Sequence, residues 1–480
     1  MPKAVKFLVG IVSTKLIAVI LGPEGSGIIS QLQNILLNIS VFANGGLTDG
    51  MVKQLSNANS NKLDSDEISK IIKTYAITIG ITTLLVFVLG YLYSSQLTQY
   101  VFGNQKYHSY FLIGFTGLPI LILSSSSFAL LKANKNFKSI MYAEIMIVIM
   151  NFILFSCLIF FFKLIGAVIH ITLSYFVTFL VYRSFAKREV LKKIGINFRS
   201  IIKTAFSQKY FRELFTFFSI SIIVGFTSVI MDVSTRSIVA TQLGIVQIGL
   251  YSPIVAWASL FTSFILPSLG IYLFPRLAET KSNIEITSVV NDVFRLMTFI
   301  LIPFILIAIT SRKFLIPLFY SNEFNNASIY LPFHFVGIFF TVWCYIFIQT
   351  FTPTGRIKKY FPIVIFQNLL DFSVVYLFVP IWGLGGWLMR FTITPLIMFV
   401  FYYIYWHIEI EFRFSKENFI LFFYVIFSAS AILIFRNNLI LSIVTSVISL
   451  TLLWFIMKKQ ERKYIISKLP FLNFVIKKEQ

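Results

Sequence analysis

The sequence predicts an all-α polytopic membrane protein of about fourteen transmembrane helices: two six-helix lobes related by a pseudo-two-fold axis along the membrane normal, plus two C-terminal helices. Three observations carry that expectation. Hydrophobic residues make up 57% of the chain and charged residues 12%, with a mean hydropathy of +0.83, which a water-soluble globular chain of this length does not reach. Apolar runs of roughly twenty residues recur, long enough as helices to cross a hydrocarbon core of about 30 Å. Lys and Arg are shared very unequally between alternate loops. A transmembrane barrel would alternate apolar and polar residues in segments of about ten, and no such alternation is present.

Taken in order, the N-terminal lobe (1–183) holds spans at 4–21, 26–46, 74–93, 109–131, 139–162 and 164–183. Its first pair is divided by Gly22-Pro23-Glu24-Gly25-Ser26, a turn sequence too short for an extra domain. A basic cytoplasmic linker (184–212) leads to the C-terminal lobe (213–406), with spans at 214–239, 249–273, 293–310, 327–349, 361–380 and 383–405. Two additional spans, 419–435 and 439–457, lie within 407–457 and meet at Arg436-Asn437-Asn438. The tail (458–480) mixes Lys and Arg with Ile, Leu and Phe, a composition expected on an anionic inner leaflet. Prolines such as Pro119, Pro253, Pro303 and Pro395 fall in or beside the spans, as kinks, helix starts or bending points.

With a cytoplasmic N-terminus, cytoplasmic segments carry 33 Lys and Arg, while external loops carry 5: Lys106, Lys163, Arg312, Lys313 and Arg436. That bias puts both termini in the cytoplasm. It also accounts for the net charge of +22 without a nucleic-acid partner, which would need a soluble basic face. The two cysteines, Cys157 and Cys344, sit inside apolar runs and are too few for a metal cluster or a disulfide framework. The apolar start is interrupted by Lys15 and is not followed by a small-residue cleavage site, so no cleavable signal is expected.

An internal repeat supports the two lobes. Ser13-Thr14-Lys15-Leu16-Ile17 reappears as Ser234-Thr235-Arg236-Ser237-Ile238, and Leu21-Gly22 with Gly27 reappears as Leu243-Gly244 with Gly249. Lys53 then matches Arg276, Asn104 matches Asn322, and Lys135 with Lys138 matches Arg356 with Lys359. These matches keep their order and their side of the membrane, and an even number of helices per half makes the halves parallel.

The run from Lys15 to Gly27 (KLIAVILGPEGSG), then Gln31 and Asn34, then Gly45 to Lys53 (GGLTDGMVK), resembles the opening helices of the Wzx-type flippases for O-antigen and other lipid-linked oligosaccharides, especially those moving the enterobacterial common antigen lipid. These belong to the MATE-like multidrug/oligosaccharidyl-lipid/polysaccharide exporter (MOP) superfamily. The resemblance is specific in this first tenth of the chain and architectural elsewhere; the first helix begins almost at Met1, shorter than that family leads one to expect. It implies a bacterial inner-membrane transporter of an undecaprenyl-pyrophosphate-linked oligosaccharide, working as a monomer among membrane lipids alongside a polysaccharide polymerase and a chain-length regulator.

Charges inside the spans are the residues to test against that substrate, because each costs at least about 2.5–3.5 kcal/mol to place there. Lys15 pairs with Arg236 in the repeat and His170 with Arg390, which would present cationic groups from both lobes; an Arg fork suits phosphate best. Lys15 and Arg390 are also long enough to snorkel toward head groups, and His170 equally suits a packing role. Gln31, Asn34 and Asn38 recur at i, i+3 and i+7, a polar stripe suited to sugar hydroxyls or to joining helices. Ser124–Ser127, Trp257, Ser259 and Ser263 could do either as well. For coupling to H+ or Na+ the candidates are Asp371, Asp232 and Glu144; Asp232 is one turn from Arg236 and open to an intrahelical pair, and Glu144 lies near cytoplasmic water.

No nucleotide loop, metal cluster or nucleophile set is present, and external loops are short, so neither an enzyme nor a bound cofactor is expected and a polysaccharide polymerase fits poorly. The nearer alternatives are a drug or cation antiporter of the same superfamily, disfavoured because the repeat-paired groups are basic, and a lipid II flippase.

Overall fold

The computed structural model describes residues 2–61, 64–192, 195–196, 198–435, 438–458 and 462. All regular structure among the described residues is helical, and ten helices are long and apolar enough to cross a membrane. In chain order they are α1 (Pro2–Asn44), α2 (Leu47–Ser60), α3 (Ser65–Leu92), α4 (Ser94–Phe102), α5 (His108–Thr116), α6 (Leu118–Ala133), α7 (Phe137–Ala186), α8 (Phe198–Lys203), α9 (Gln208–Leu243), α10 (Ile245–Ala278), α11 (Asn283–Thr310), α12 (Arg312–Phe319), α13 (Leu331–Phe351), α14 (Ile357–Trp382), α15 (Leu384–Ile410), α16 (Lys416–Phe435) and α17 (Leu439–Ile456). Apolar side chains such as Phe160, Phe161, Ile271 and Ile408 are largely exposed, which suits a lipid solvent. The chain is a multi-pass membrane protein.

Two of the longest helices are hairpins in disguise. α1 breaks at Gly22 (φ 63°, ψ −166°) and resumes at Pro23, whose fixed φ suits a helix start. α7 breaks at Lys163 (φ 49°, ψ −126°). Both breaks fall in the turns the sequence indicates. The span expected at 109–131 is instead two helices, α5 and α6, parted at Gly117; Pro119 supplies no N–H to continue the ladder. The cytoplasmic segment 50–73 is not a plain loop: α2 fills much of it, burying Leu47, Met51, Leu55 and Ala58 along one face.

The described residues fall into two compact units. The first comprises Met1–Pro253, Pro317–Asn325 and Phe361–Trp387; the second comprises Ile254–Ile316, Asn326–Tyr360 and Leu388–Gln480. Most of the tail, 458–480, lies outside the described residues, as does Arg436-Asn437.

Within the first unit the internal repeat is visible as reciprocal contacts. A Cβ added to Gly27 would lie 2.2 Å from the carbonyl oxygen of Ile245, and one added to Gly249 would lie 1.8 Å from that of Pro23. Gly27 and Gly249 are repeat mates, and Pro23 and Ile245 stand at the same spacing, so each half makes the contact the other makes. Backbone meets backbone here because neither residue has a side chain to hold them apart. Two further bonds hold α1 and α9 to distant parts of the unit: Lys15 donates to the carbonyl of Tyr320, and Ser237 donates to that of Tyr100, in α4, at 2.5 Å. A linker contact completes the unit. The Lys73 ammonium donates to the carbonyls of Ile202 and Thr204, and the Tyr210 hydroxyl donates to Glu67 at 2.8 Å.

The second unit is built around aromatic rings. Phe294 stands 5.1 Å from Trp343 and 4.9 Å from Phe347, and Trp343 5.0 Å from Phe399, centroid to centroid. Asn418, 2% exposed, donates to the backbone and side-chain oxygens of Asn291 at 2.8 and 2.9 Å, tying α16 to α11. The basic turn found by repeat matching is anchored by Glu409, which accepts from Arg356 at 2.9 Å and Lys359 at 2.8 Å.

Candidate functional site

The strongest polar constellation lies where the second arm of α1 runs along α9. Ser30, Asn34 and Asn38 recur at four-residue spacing on α1, and Ser228, Asp232 and Arg236 do the same on α9, so each set forms one stripe on its helix. The stripes meet rung by rung. Arg236 Nη1 donates to Ser30 Oγ at 3.4 Å; Asn34 Nδ2 donates to Asp232 Oδ2 at 2.8 Å; Asn38 Nδ2 donates to the same oxygen at 3.2 Å and to Asn34 Oδ1 at 3.1 Å. At the next rung Ser228 accepts from Asn368 of α14 at 2.8 Å, and Asp371 follows Asn368 by three residues on the same helix. The result is a ladder of amide, carboxylate, hydroxyl and guanidinium groups, with the Asp232 carboxylate held by two amides of the facing helix.

The ladder gathers Asn34, Asn38, Asp232 and Arg236 from the sequence candidates and adds Ser30, Ser228 and Asn368, which sequence reasoning missed. For the two serines the signal was present in the i, i+4, i+8 spacing, but serine in an apolar helix usually bonds to its own preceding turn and so carries little information by itself. Gln31, on the adjoining face, is 1% exposed and donates to the carbonyl of Val101 at 2.7 Å, apart from these rungs. Lys15 is separate too: its ammonium group is held by the carbonyls of Pro317 (2.9 Å) and Tyr320.

A second place in the first unit collects His170 and Glu144. A cavity of about 650 Å³ is lined by Lys6, Gln33, Glu144, Asn151, His170 and Tyr182 among others. His170 Nε2 lies 3.2 Å from the backbone oxygen of Asn151, and its ring stands edge-on to Phe155 at 5.0 Å. Glu144 and Tyr182 also line a smaller cavity of about 280 Å³ that reaches Ser40, Asn44, Ser124 and Ser125. Thr48, donating to Asn44 at 2.7 Å and to Ser125 at 3.2 Å, joins this polar patch to α2.

In the second unit Arg390 is 8% exposed, with its guanidinium carbon 4.4 Å from the centre of the Phe391 ring. Phe391 in turn packs 4.4 Å from His334, a buried histidine the sequence reading passed over. A guanidinium, planar through its own delocalisation, can lie over an aromatic face while leaving its edge for hydrogen bonds. Among the described residues no group of three or more His, Cys, Asp or Glu could hold a metal ion.

Comparison with known proteins adds to this geometry. A family described as "Polysaccharide biosynthesis protein" matches residues 2–281. The chain is 23% identical over 406 residues to the lipid III flippase of Escherichia coli (strain K12), covering 82% of this chain and 93% of that protein. Among solved structures it resembles the lipid II flippase MurJ in an inward closed conformation (TM-score 0.71, 15% identity, 94% of this chain and 98% of that one). It also resembles an inward-facing multidrug resistance MATE family transporter of the MOP superfamily (TM-score 0.66, 15% identity, 85% and 94%).

Proposed function

Because this chain belongs to the polysaccharide biosynthesis protein family, we propose that it is a flippase that carries an undecaprenyl-pyrophosphate-linked oligosaccharide from the cytoplasmic to the periplasmic leaflet of a bacterial inner membrane. The observation that carries the reading is the ladder between α1 and α9, a set of hydrogen-bonding groups on otherwise apolar helices, of the kind a sugar and a pyrophosphate need where they lose their water. The near full-length match to a lipid III flippase supports the same substrate class. The relatives are described as flippases and transporters, so the polymerase reading is set aside.

In this reading Arg236 and Arg390, with Lys15 and His170, serve the anionic and polar parts of the substrate, while Gln31, Asn34 and Asn38 serve its hydroxyls. Asp232, Asp371 and Glu144 are the groups through which an H+ or Na+ gradient drives alternating access between two six-helix lobes. The transport unit is a monomer with cytoplasmic termini, handing its product to a polymerase and a chain-length regulator.

The test is to delete the gene in its host and measure surface polysaccharide together with the sidedness of undecaprenyl-pyrophosphate-linked units. Loss of surface polymer with units trapped on the cytoplasmic side, restored by the wild type and not by Arg390→Ala, is the expected result. Units that still reach the outer face overturn the proposal, and unchanged polysaccharide transfers support to the antiporter.

A further inference from the structure

The cavity between the arms of α1 and α7 is separate from the ladder, and its polar groups are largely unspent. Glu144, Lys6 and Gln33 make no side-chain hydrogen bond or ion pair among the described residues, nor does the Tyr182 hydroxyl, and the buried Oδ1 of Asn151 has no partner. The cavity is long as well as polar. From Tyr182 to His170 along α7 is twelve residues, about 18 Å of helix, and the first arm of α1 contributes Lys6 through Ile17 along the same wall. At about 650 Å³ it has the size of a small-molecule site rather than of an ion site.

Its chemistry narrows the occupant. Lys6 and Glu144 carry opposite charges, so the wall does not select an anion. Gln33 and Asn151 bring amides that both donate and accept, Tyr182 a hydroxyl, and Phe152 and Phe155 flat apolar faces. That mixture matches a neutral sugar bearing hydroxyl and acetamido groups, whose C–H faces lie on aromatic rings while its edges hydrogen-bond. We propose that this cavity, with His170 in its wall, binds an uncharged, N-acetylated sugar of the lipid-linked substrate, apart from Lys15, Arg236 and Arg390. The proposal rests on the flippase reading and deepens it.

The test uses the full chain with Cys157→Ala, which leaves the buried Cys344 as the one native thiol, and with Ser13→Cys as a reporter in the cavity wall, reconstituted in proteoliposomes. Modification of the introduced thiol by a small methanethiosulfonate is timed alone, with undecaprenyl-pyrophosphoryl N-acetylglucosamine, and with undecaprenyl pyrophosphate; translocation of the sugar lipid is measured in the same vesicles. With ligand at about four times its Kd, the sugar lipid is expected to slow modification about five-fold, and the sugar-free lipid to leave it unchanged. Asn151→Leu should remove the protection. Tyr182→Phe, which keeps the ring packed 5.4 Å from Phe128, should weaken it without disturbing the fold. Equal protection by both lipids overturns the inference, because the cavity would then hold lipid or phosphate. So does absence of protection in a protein that translocates the sugar lipid, which leaves the flippase reading intact. Protection without translocation keeps the sugar site and overturns the flippase reading.

Discussion

Asp232 accepts hydrogen bonds from two amides of the facing helix, and that arrangement makes its carboxylate hard to replace. Asp232→Asn would turn an acceptor into a group that also donates, against Asn34 and Asn38, which already donate there. We expect translocation of the lipid-linked unit in proteoliposomes to fall about ten- to a hundred-fold, the scale of a lost hydrogen bond to a charged group, while the protein elutes normally on size exclusion. Arg390→Lys tests a different property, planarity, since it keeps the charge and loses the face that lies on Phe391. It should leave translocation intermediate between wild type and Arg390→Ala; activity equal to wild type would show that charge alone suffices. At this scale the sequence was informative about which residues are costly in a membrane and about partners on the same helix, such as Arg236 one turn from Asp232, and silent about partners on other helices. Asn34 and Asn38 were legible as a stripe, but that Asp232 would be their acceptor, nearly two hundred residues away, is a tertiary fact that spacing within one helix cannot carry.

Helices were the easiest level to read, because twenty apolar residues leave the backbone no option in lipid but to satisfy itself. The turns at Gly22 and Lys163 were legible too, one from a Gly-Pro pair and one from a charge between apolar runs. What escaped was α2 inside a polar segment, while Pro119 marked an interruption without saying that it parts α5 from α6. Both depend on how an amphipathic face or a proline is packed against other helices, not on hydropathy. The close contact of α1 with α10 gives a sharp prediction. Gly249→Val places its Cβ where the carbonyl oxygen of Pro23 already lies, so full-length protein in detergent should aggregate or lose its folded size-exclusion peak. By contrast Gly10→Ala on the first arm of α1, where an added Cβ meets nothing within 4 Å, should stay within about 0.5 kcal/mol of wild type in thermal unfolding.

For the whole molecule the unequal sharing of Lys and Arg predicts orientation, with both termini inside. A periplasm-active reporter fused after Lys458 should stay silent, and one inserted beside Lys163 should be active; the opposite pattern would invert every loop assignment. The repeat was legible in order and spacing, and the contacts that Gly27 and Gly249 make with the carbonyls of Ile245 and Pro23 give it a physical consequence. Two positions that are images of each other and also touch must lie beside the axis that relates them. Were each half a chain of its own, the pair would be a self-complementary patch, the same glycine on each of two identical subunits, of the kind a parallel homodimer needs.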